Sequence, residues 1–216
     1  MKTNLLNWSL NLAAAVALTA SLNAADDFIR YVARPGATVT INGTSSIHDW
    51  EVEGKIVGGY FKVEPDFATD LSLKSVPSVT TKEKNPEAII SIPIRSLKSG
   101  KDAMDRIMQE AMKAEENPMI KFTLKEMIVK GDVPAEGSPV KFDAKGDLAV
   151  SGETKPVELV LTMERKPNKM LVFKGEKELK MTDFGITPPS PKIPGLSMIK
   201  TGDEVMVKFE WVTKAR

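Results

Sequence analysis

The only histidine of the chain, His48, is the first residue to consider for catalysis, because histidine is the commonest general base in enzymes. It lies in the stretch TSSIHDWEVEG, residues 44–54, and shares a spacing of two with Trp50 and Val52. Acidic residues fill the positions between them. This alternation predicts a half-buried β-strand with His48 on the buried face. The imidazole would then serve catalysis, metal binding, ligand recognition or structure.

Catalysis and metal binding find little support elsewhere in the sequence. A Ser or Thr nucleophile needs a neighbouring base, and the chain has one His and no GxSxG turn. Transition-metal sites recruit several His, Cys or clustered carboxylates, and the chain has no Cys. Carboxylates fall mainly at outward-facing positions, and no GxGxxG or GxxxxGK phosphate loop is present. We therefore expect no catalytic residue, no metal and no cofactor.

Two roles for His48 stay open. In the first, the buried ring makes a hydrogen bond to a protein neighbour, such as a strand-end carbonyl or a hydroxyl of the Thr44–Ser46 approach. In the second, the ring is a polar contact inside an apolar cavity and meets the polar end of a lipid-like ligand. Ligand pockets combine apolar walls with a few placed polar groups, which is the setting the second role requires.

A stripe of methionines is the other feature that could bind a ligand. Met104, Met108 and Met112 repeat every four residues, which places them on one face of a helix. Methionine is unbranched and polarizable, so it adapts to irregular apolar partners. The stripe predicts either ordinary packing of a helix against a sheet or a contact over a cavity mouth with a flexible hydrocarbon. One face could do both.

The elements that position these residues are mostly strands. Apolar and polar residues alternate with period two over many short segments, with turn signals such as SGETKP between them. We count about eight or nine strands, and one-sided patterning over so many strands predicts an antiparallel sandwich or closed barrel. The clearest alternating segments are 39–41, 90–94, 142–150, 157–163, 171–173 and 205–211.

One segment has helical spacing instead. Residues 101–118 predict a short amphipathic helix that begins with Asp102 as its cap and ends at Asn117-Pro118. The proline-rich stretches 133–139 and 187–195 are typical of loops. The predicted order is therefore strands, one helix, and strands again.

The N-terminal residues predict a secretory signal peptide. Lys2 is the only charge before Asp26, the run Leu10–Ala20 is almost wholly apolar, and small residues follow to Ala24. We predict a signal peptide over residues 1–24, with cleavage after Ala25 as the second choice. The apolar run is too short for a membrane span, which needs about 20 residues.

The remaining chain, residues 25–216, suits one domain. Removing Lys2 from the 30 basic residues leaves 29 against 29 acidic residues, so no basic excess points to nucleic acid. No further long apolar run follows, and we expect no membrane span after signal cleavage. The sequence leaves monomer or homodimer undecided.

Several segments of the middle and C-terminal regions resemble the YceI-like family over roughly residues 38–213. SIPIRSLKSGKDAMDRIM and ENPMIKFTLKEM resemble its strand, charged helix start and Pro-x-Ile-x-Phe step. MTDFGI at 181–186 and GDEVMVKFEW at 202–211 resemble its Asp-Phe-Gly-Ile step and closing strand. FDAKGDLAVSGETKPVELVLTM resembles its hairpin, with matching residues Gly146, Asp147, Leu148, Gly152, Thr154, Lys155, Pro156 and Val157.

This resemblance implies an all-β fold, namely a lipocalin-like antiparallel β-barrel of about eight strands with one short amphipathic helix near one end. It also implies export to the periplasm and a long apolar cavity that holds a polyisoprenoid or a similar lipid. His48 is the polar residue that could contact the ligand. The residues that we expect to line the cavity are Trp50, Val52, Met104, Met108, Met112, Phe142, Leu148, Phe184 and Trp211.

The function that we expect is therefore a periplasmic lipid carrier or sequestering protein, and not an enzyme. One alternative is a stress or assembly factor that acts through its surface, with a barrel filled by its own side chains. Another is an exported hydrolase on a lipocalin-like frame, which the lack of a second His or any Cys disfavours. The lipid's head group and chain length do not follow from the sequence.

Overall fold

A computed structural model describes residues 28–70, 78–80, 87–132, 134–135, 137–191 and 198–216. The segment 1–24, predicted as a signal peptide, lies outside the described residues. The strands are β1 (Ile29–Ala33), β2 (Thr38–Ser45), β3 (Trp50–Gly54), β4 (Gly58–Val63), β5 (Ser78–Thr80), β6 (Glu87–Pro93), β7 (Leu97–Lys98), β8 (Met119–Val129), β9 (Val140–Val150), β10 (Glu153–Lys166), β11 (Met170–Lys180) and β12 (Thr201–Ala215). The helices are α1 (Pro65–Thr69) and α2 (Asp102–Ala111), and single 3₁₀ turns occupy Ile94–Ser96 and Met181–Phe184.

Eight strands close into an antiparallel barrel in the order β1, β4, β6, β8, β9, β10, β11 and β12. Pairing of β12 with β1, for example Ala215 opposite Tyr31, completes the ring. At three of the eight positions around the barrel the strand is interrupted. Strand β2 continues β1 beside β12, β3 precedes β4 beside β2, and β7 continues β6 beside β3. The predicted all-β, lipocalin-like barrel of about eight strands is confirmed.

The inward faces follow the predicted alternation, as strand β9 shows. Phe142, Ala144 and Val150 are buried, and the residues between Val140 and Gly146 alternate between buried and exposed. Strand β8 changes this parity at a β-bulge, where Lys125 is the extra residue between two paired positions of β9. Leu124 is buried before the bulge and Met127 after it.

The β9–β10 hairpin is tighter than predicted. The turn consists of Ser151 and Gly152 alone, with φ of 53° and 88°, and β10 begins at Glu153. Positive φ at both residues is the type I′ geometry that matches the twist of paired strands. The prediction that SGETKP forms the turn is therefore wrong, because four of its six residues already belong to β10.

Helix α2 is shorter than predicted. It ends at Ala111, well before Asn117-Pro118, because Lys113 adopts a left-handed conformation with φ of 51°. The amide of Ala114 then donates to the carbonyl of Gln109 at 2.9 Å, a bond that closes a helix end of the Schellman type. A local terminator, and not the proline, stops the helix.

A second short helix, α1, was not predicted. It begins with Pro65 at its first turn, where the missing N–H costs nothing. Its Phe67 is fully buried and plugs the barrel end opposite α2. The two helices therefore cover the two ends of one barrel.

Candidate functional site

The barrel encloses an apolar cavity of about 620 Å³ beneath α2. On β12 the lining positions run from Thr201 to Trp211, ten residues apart. The pairing is irregular between Thr201 and Val205, and the regular part from Val205 to Trp211 covers roughly 20 Å of strand, or about 15 Å of depth at the usual tilt of barrel strands. The volume lies in the range of ligand pockets, about 300–1,000 Å³. The cavity can hold a long, narrow apolar chain.

Aromatic rings form the deep end of the cavity. Phe61 and Phe173 meet edge to face with centroids 5.4 Å apart, and Phe173 lies 5.6 Å from Trp211. All three line the cavity. The buried indole N–H of Trp211 has no hydrogen-bond partner among the described residues. The deep end is therefore rigid and almost entirely apolar.

The methionine stripe forms the roof. Met104, Met108 and Met112 all line the cavity, together with Ile107 on the same face of α2. Met104 and Met108 are half-buried, and Met112 is buried just past the helix end. The structure therefore places the stripe over a cavity, as the second of its two interpretations proposed. Its role in ligand binding stays a prediction.

The N-terminal end of α2 is fixed by Asp105. Its buried carboxylate accepts hydrogen bonds from the Ser99 amide at 2.8 Å and the Ser99 hydroxyl at 2.7 Å, and the Lys98 ammonium lies 3.4 Å away. Burial alone would raise the pKa of Asp105, but these donors together hold the pKa below its usual range. The predicted cap, Asp102, is the first helical residue, and Lys101 occupies the cap position.

The C-terminal end of α2 is tied to the β9–β10 hairpin. The buried hydroxyl of Ser151 donates to the carbonyl of Met112 at 2.9 Å. At the next position a β-carbon would lie 3.2 Å from the amide group of Asn117, so Gly152 allows the loop after α2 to lie against the turn. The helix is thus held by polar bonds at its ends and by apolar contacts between them.

Trp50 and Val52 line the cavity from β3 as predicted. Trp50 lies across Gly43 of β2, where any β-carbon would overlap the indole ring. Its indole N–H donates to the carbonyl of Thr44 at 3.0 Å, which fixes the ring at the mouth. Val52 is buried deeper in the same wall. Glycine at residue 43 therefore makes room for the indole.

His48 does not lie on the buried face of a strand, so that prediction is wrong. Strand β3 begins at Trp50, and His48 belongs to the exposed turn before it. The strand alternation therefore does not extend to residue 48. The ring lines the cavity mouth, and its Nδ1 donates to the carbonyl of Asp49 at 2.7 Å. The partner is a backbone carbonyl, as one hypothesis required, but it belongs to the next residue of an exposed turn.

Phe142 is the predicted cavity residue that does not line the cavity. It is fully buried on the inward face of β9, but the centroid of its ring lies 6.4 Å from that of Phe67. The ring is therefore on the α1 side of the aromatic rings that form the deep end of the cavity. Leu148, six residues along the same strand, does line the cavity, and so does Phe184 of the 3₁₀ turn after β11. Alternation predicts the inward face of a strand but not the depth at which α1 fills the barrel.

Three lysines line the cavity although the sequence did not lead us to expect them there: Lys101, Lys177 and Lys180. Lys177 could have been found, because the inward row of β11 that begins with Leu171 and Phe173 reaches it when continued in steps of two. The other two lie near the mouth, where strand alternation ends. No Asp or Glu of the described residues lines the cavity.

Other kinds of site find no support in the described part of the chain. No three His, Asp or Glu side chains there are grouped to hold a metal ion. Within the same residues, neither helix has the length and hydrophobicity needed to cross a bilayer. The apolar cavity is therefore the feature on which a function can be built.

The comparisons with solved structures agree on the fold. A polyisoprenoid binding domain from Saccharophagus degradans has a TM-score of 0.61 and 13% identity, covering 87% of this chain and 98% of that one. Burkholderia cenocepacia BcnA has a TM-score of 0.57 and 18% identity, covering 82% and 95%. The Campylobacter jejuni YceI protein has a TM-score of 0.52 and 17% identity, covering 76% and 84%.

The sequence comparisons identify the family. Comparison with curated proteins gave no match. A family model described as the YceI-like domain matches residues 57–213, from the connection between β3 and β4 into β12. The match includes both ends of the cavity, the helix that roofs it and the hairpin that holds that helix. The chain therefore belongs to the YceI-like family.

Proposed function

We propose that this protein binds a polyisoprenoid or similar long-chain lipid in its barrel and carries or sequesters it in the periplasm. The observation that carries the proposal is the apolar cavity of about 620 Å³ under a methionine-lined helix. Burial of a hydrocarbon is favourable by about 25 cal/mol per Å², although association and ordering of the chain offset part of this gain. A long apolar tail would bind there without needing a charged anchor.

Membership of the YceI-like family and the fold shared with a polyisoprenoid binding domain support a lipid ligand and a binding role. The alternative of a barrel filled by its own side chains is disfavoured, because rings fill only the end near α1 and leave space between that end and α2. The proposed location rests on the predicted signal peptide at residues 1–24.

Native mass spectrometry of the protein purified from its source tests the proposal. We expect a co-purified lipid that organic extraction removes, and rebinding of geranylgeraniol, a prenyl alcohol, by the stripped protein. A chain that carries no lipid and binds no geranylgeraniol would overturn the proposal. Mass spectrometry of the periplasmic fraction should also show the mass of a chain whose first residue is Ala25. A chain retained in the cytoplasm with residues 1–24 attached would contradict export.

A further inference from the structure

Lys177 is a charged residue on an inward row of the barrel. On β11 it lies two residues from Leu179 and four from Phe173, which both line the cavity. Across the ladder it is opposite Val207 of β12, another lining residue. Lys177 is half-buried, and it is a lining residue itself. The side chain of Lys177 therefore lies in the wall of a cavity whose other lining residues are mostly apolar.

The sheet opens beside this lysine. Strands β10 and β11 pair only as far as Leu161 opposite Gly175. Beyond that point β10 continues paired to β9 alone, and β11 continues paired to β12 alone. The edges that diverge carry Val157 and Leu159 on one side and Lys177 on the other, and all three line the cavity. A head group at this level would lie between the two strands and not in the middle of the apolar interior.

The charges of the cavity wall are of one sign. Among the described residues that line it, the three charged side chains are lysines and none is a carboxylate. Lys180 lies 3.6 Å from Glu204 outside the cavity. For Lys177 and Lys101 the described part of the chain provides no ion-pair partner. A charge held against an apolar cavity without a partner is unfavourable, and an anionic ligand would relieve that cost.

We propose that Lys177 binds an anionic head group, a carboxylate or a phosphate, of the long-chain ligand, with Lys101 and Lys180 nearer the mouth adding to the positive field. This inference rests on the proposed function and specifies its ligand. The tail would run from Lys177 toward the paired rings of Phe173 and Trp211 at the deep end, four residues or about 13 Å away along the strand. Charge-assisted hydrogen bonds are the stronger class, so the head group adds both affinity and orientation.

The test compares probes that share a tail and differ in charge. Geranylgeranyl monophosphate is compared with geranylgeraniol, and palmitate with hexadecanol, by calorimetric titration of delipidated protein. We expect the wild type to prefer at least one anion over its alcohol by about tenfold or more, and the pair that shows the preference tells phosphate from carboxylate. The preference should decrease as salt is raised.

Three variants assign the preference to the residue. Lys177→Met should abolish it, which brings the affinities for the anion and its alcohol within about twofold of each other, while Lys177→Arg should keep it. The matched control is Lys174→Met on the same strand, since Lys174 faces outward and lies 3.1 Å from Glu210. Lys174→Met should bind as the wild type does, and thermal melts should show that all three variants fold.

Each negative result of these titrations leads to a different conclusion. Wild type that binds both alcohols without preferring either anion overturns this inference and leaves the proposed function standing. A preference that survives Lys177→Met also overturns it, because the lysine then only reaches solvent. Wild type that binds none of the four probes overturns the proposed function and this inference with it.

Discussion

The two ends of the barrel are built from different side chains. Around α1, Phe61, Phe67 and Phe142 are fully buried, and the Phe61 and Phe67 rings meet edge to face at 5.7 Å. Under α2, Met104 and Met108 are half-buried over open space. Aromatic rings have few rotamers and fill one end with fixed contacts, whereas methionine adapts to the surface it meets. The comparison separates an end that holds the fold together from an end suited to a variable ligand.

The two helices are also attached to the barrel in different ways. Phe67 of α1 is inserted among the rings, and the guanidinium of Arg165 donates to the Phe67 carbonyl at 3.0 Å. Helix α2 is bonded through Asp105 at one end and through Ser151 beyond the other. Its central turn has the cavity beneath it. Helix α1 is therefore attached through its centre and α2 through its two ends.

The largest effect should come from removing the plug. Phe67→Ala deletes a fully buried ring, and we expect it to lower the free energy of unfolding by about 3–5 kcal/mol because it leaves a cavity that its neighbours cannot fill. Chemical denaturation measures this loss, and the melting temperature should fall by about 10 °C. Met104→Ala is the matched change at the other end, where we expect about 1 kcal/mol. Equal losses for the two variants would remove the distinction between the ends.

A charge on the methionine stripe should affect binding more than folding. Met108→Glu places a carboxylate that a bound hydrocarbon must desolvate, and we expect at least tenfold weaker binding of geranylgeraniol with a change in unfolding free energy below about 1 kcal/mol. Arg106→Glu adds the same side chain on the exposed face of α2 and serves as the control. Wild-type affinity in the Met108 variant would show that the stripe does not contact the ligand.

Local patterns predicted the wall of the barrel well and its ends poorly. Alternation in FDAKGDLAV identified the inward row of β9 because both faces of that strand are regular. The bulge at Lys125 reverses the parity of β8, so Ile128 faces outward and is 42% exposed. The consecutive polar residues Lys125 and Glu126 were the sequence sign of this break. Depth along the barrel, which separates Phe142 from Leu148, depends on tertiary packing of α1 and has no local signature.

The candidate site shows the same limit. The helical spacing of the methionines was enough to place them on one face, and the structure puts that face over the cavity. His48 failed because a period of two was extended past the first residue of a strand into a turn. Lys177 was missed because the alternating row that begins with Leu171 was not continued past Phe173. A charged residue that interrupts an inward row is the signal to look for in related chains.

The pH dependence of stability should report on the attachment of α2. Because the pKa of Asp105 is lowered in the folded chain, its carboxylate stabilises the fold above the pKa of the unfolded chain, about 3.9. That contribution is lost as the pH falls through the lowered pKa. Asp105→Asn should cost about 1–2 kcal/mol at pH 7, and the difference from wild type should shrink below about pH 4. Urea denaturation across this range measures it.

The control for this titration is Asp102→Asn, one turn earlier on the same helix and exposed. Its difference from wild type at pH 7 should be smaller than that of Asp105→Asn, because Asp102 is exposed and Asp105 is buried. If the Asp105 variant differs from wild type by the same amount at about pH 7 and about pH 3, the carboxylate does not stabilise the helix through its charge.

The smallest effect should come from the only histidine. The turn that contains His48 is held by Ser45, whose hydroxyl donates to the His48 carbonyl at 2.6 Å, while among the described residues the ring bonds only the Asp49 carbonyl beside it. His48→Ala should therefore change the free energy of unfolding by less than about 0.5 kcal/mol, whereas Ser45→Ala should cost about 1 kcal/mol. His48→Ala should also keep the preference for an anionic probe, since we assign that preference to Lys177. Denaturation and the paired-probe titration decide both points. A large loss of stability in His48→Ala would show that the ring has a structural role. A lost preference with intact stability would make His48 the head-group contact.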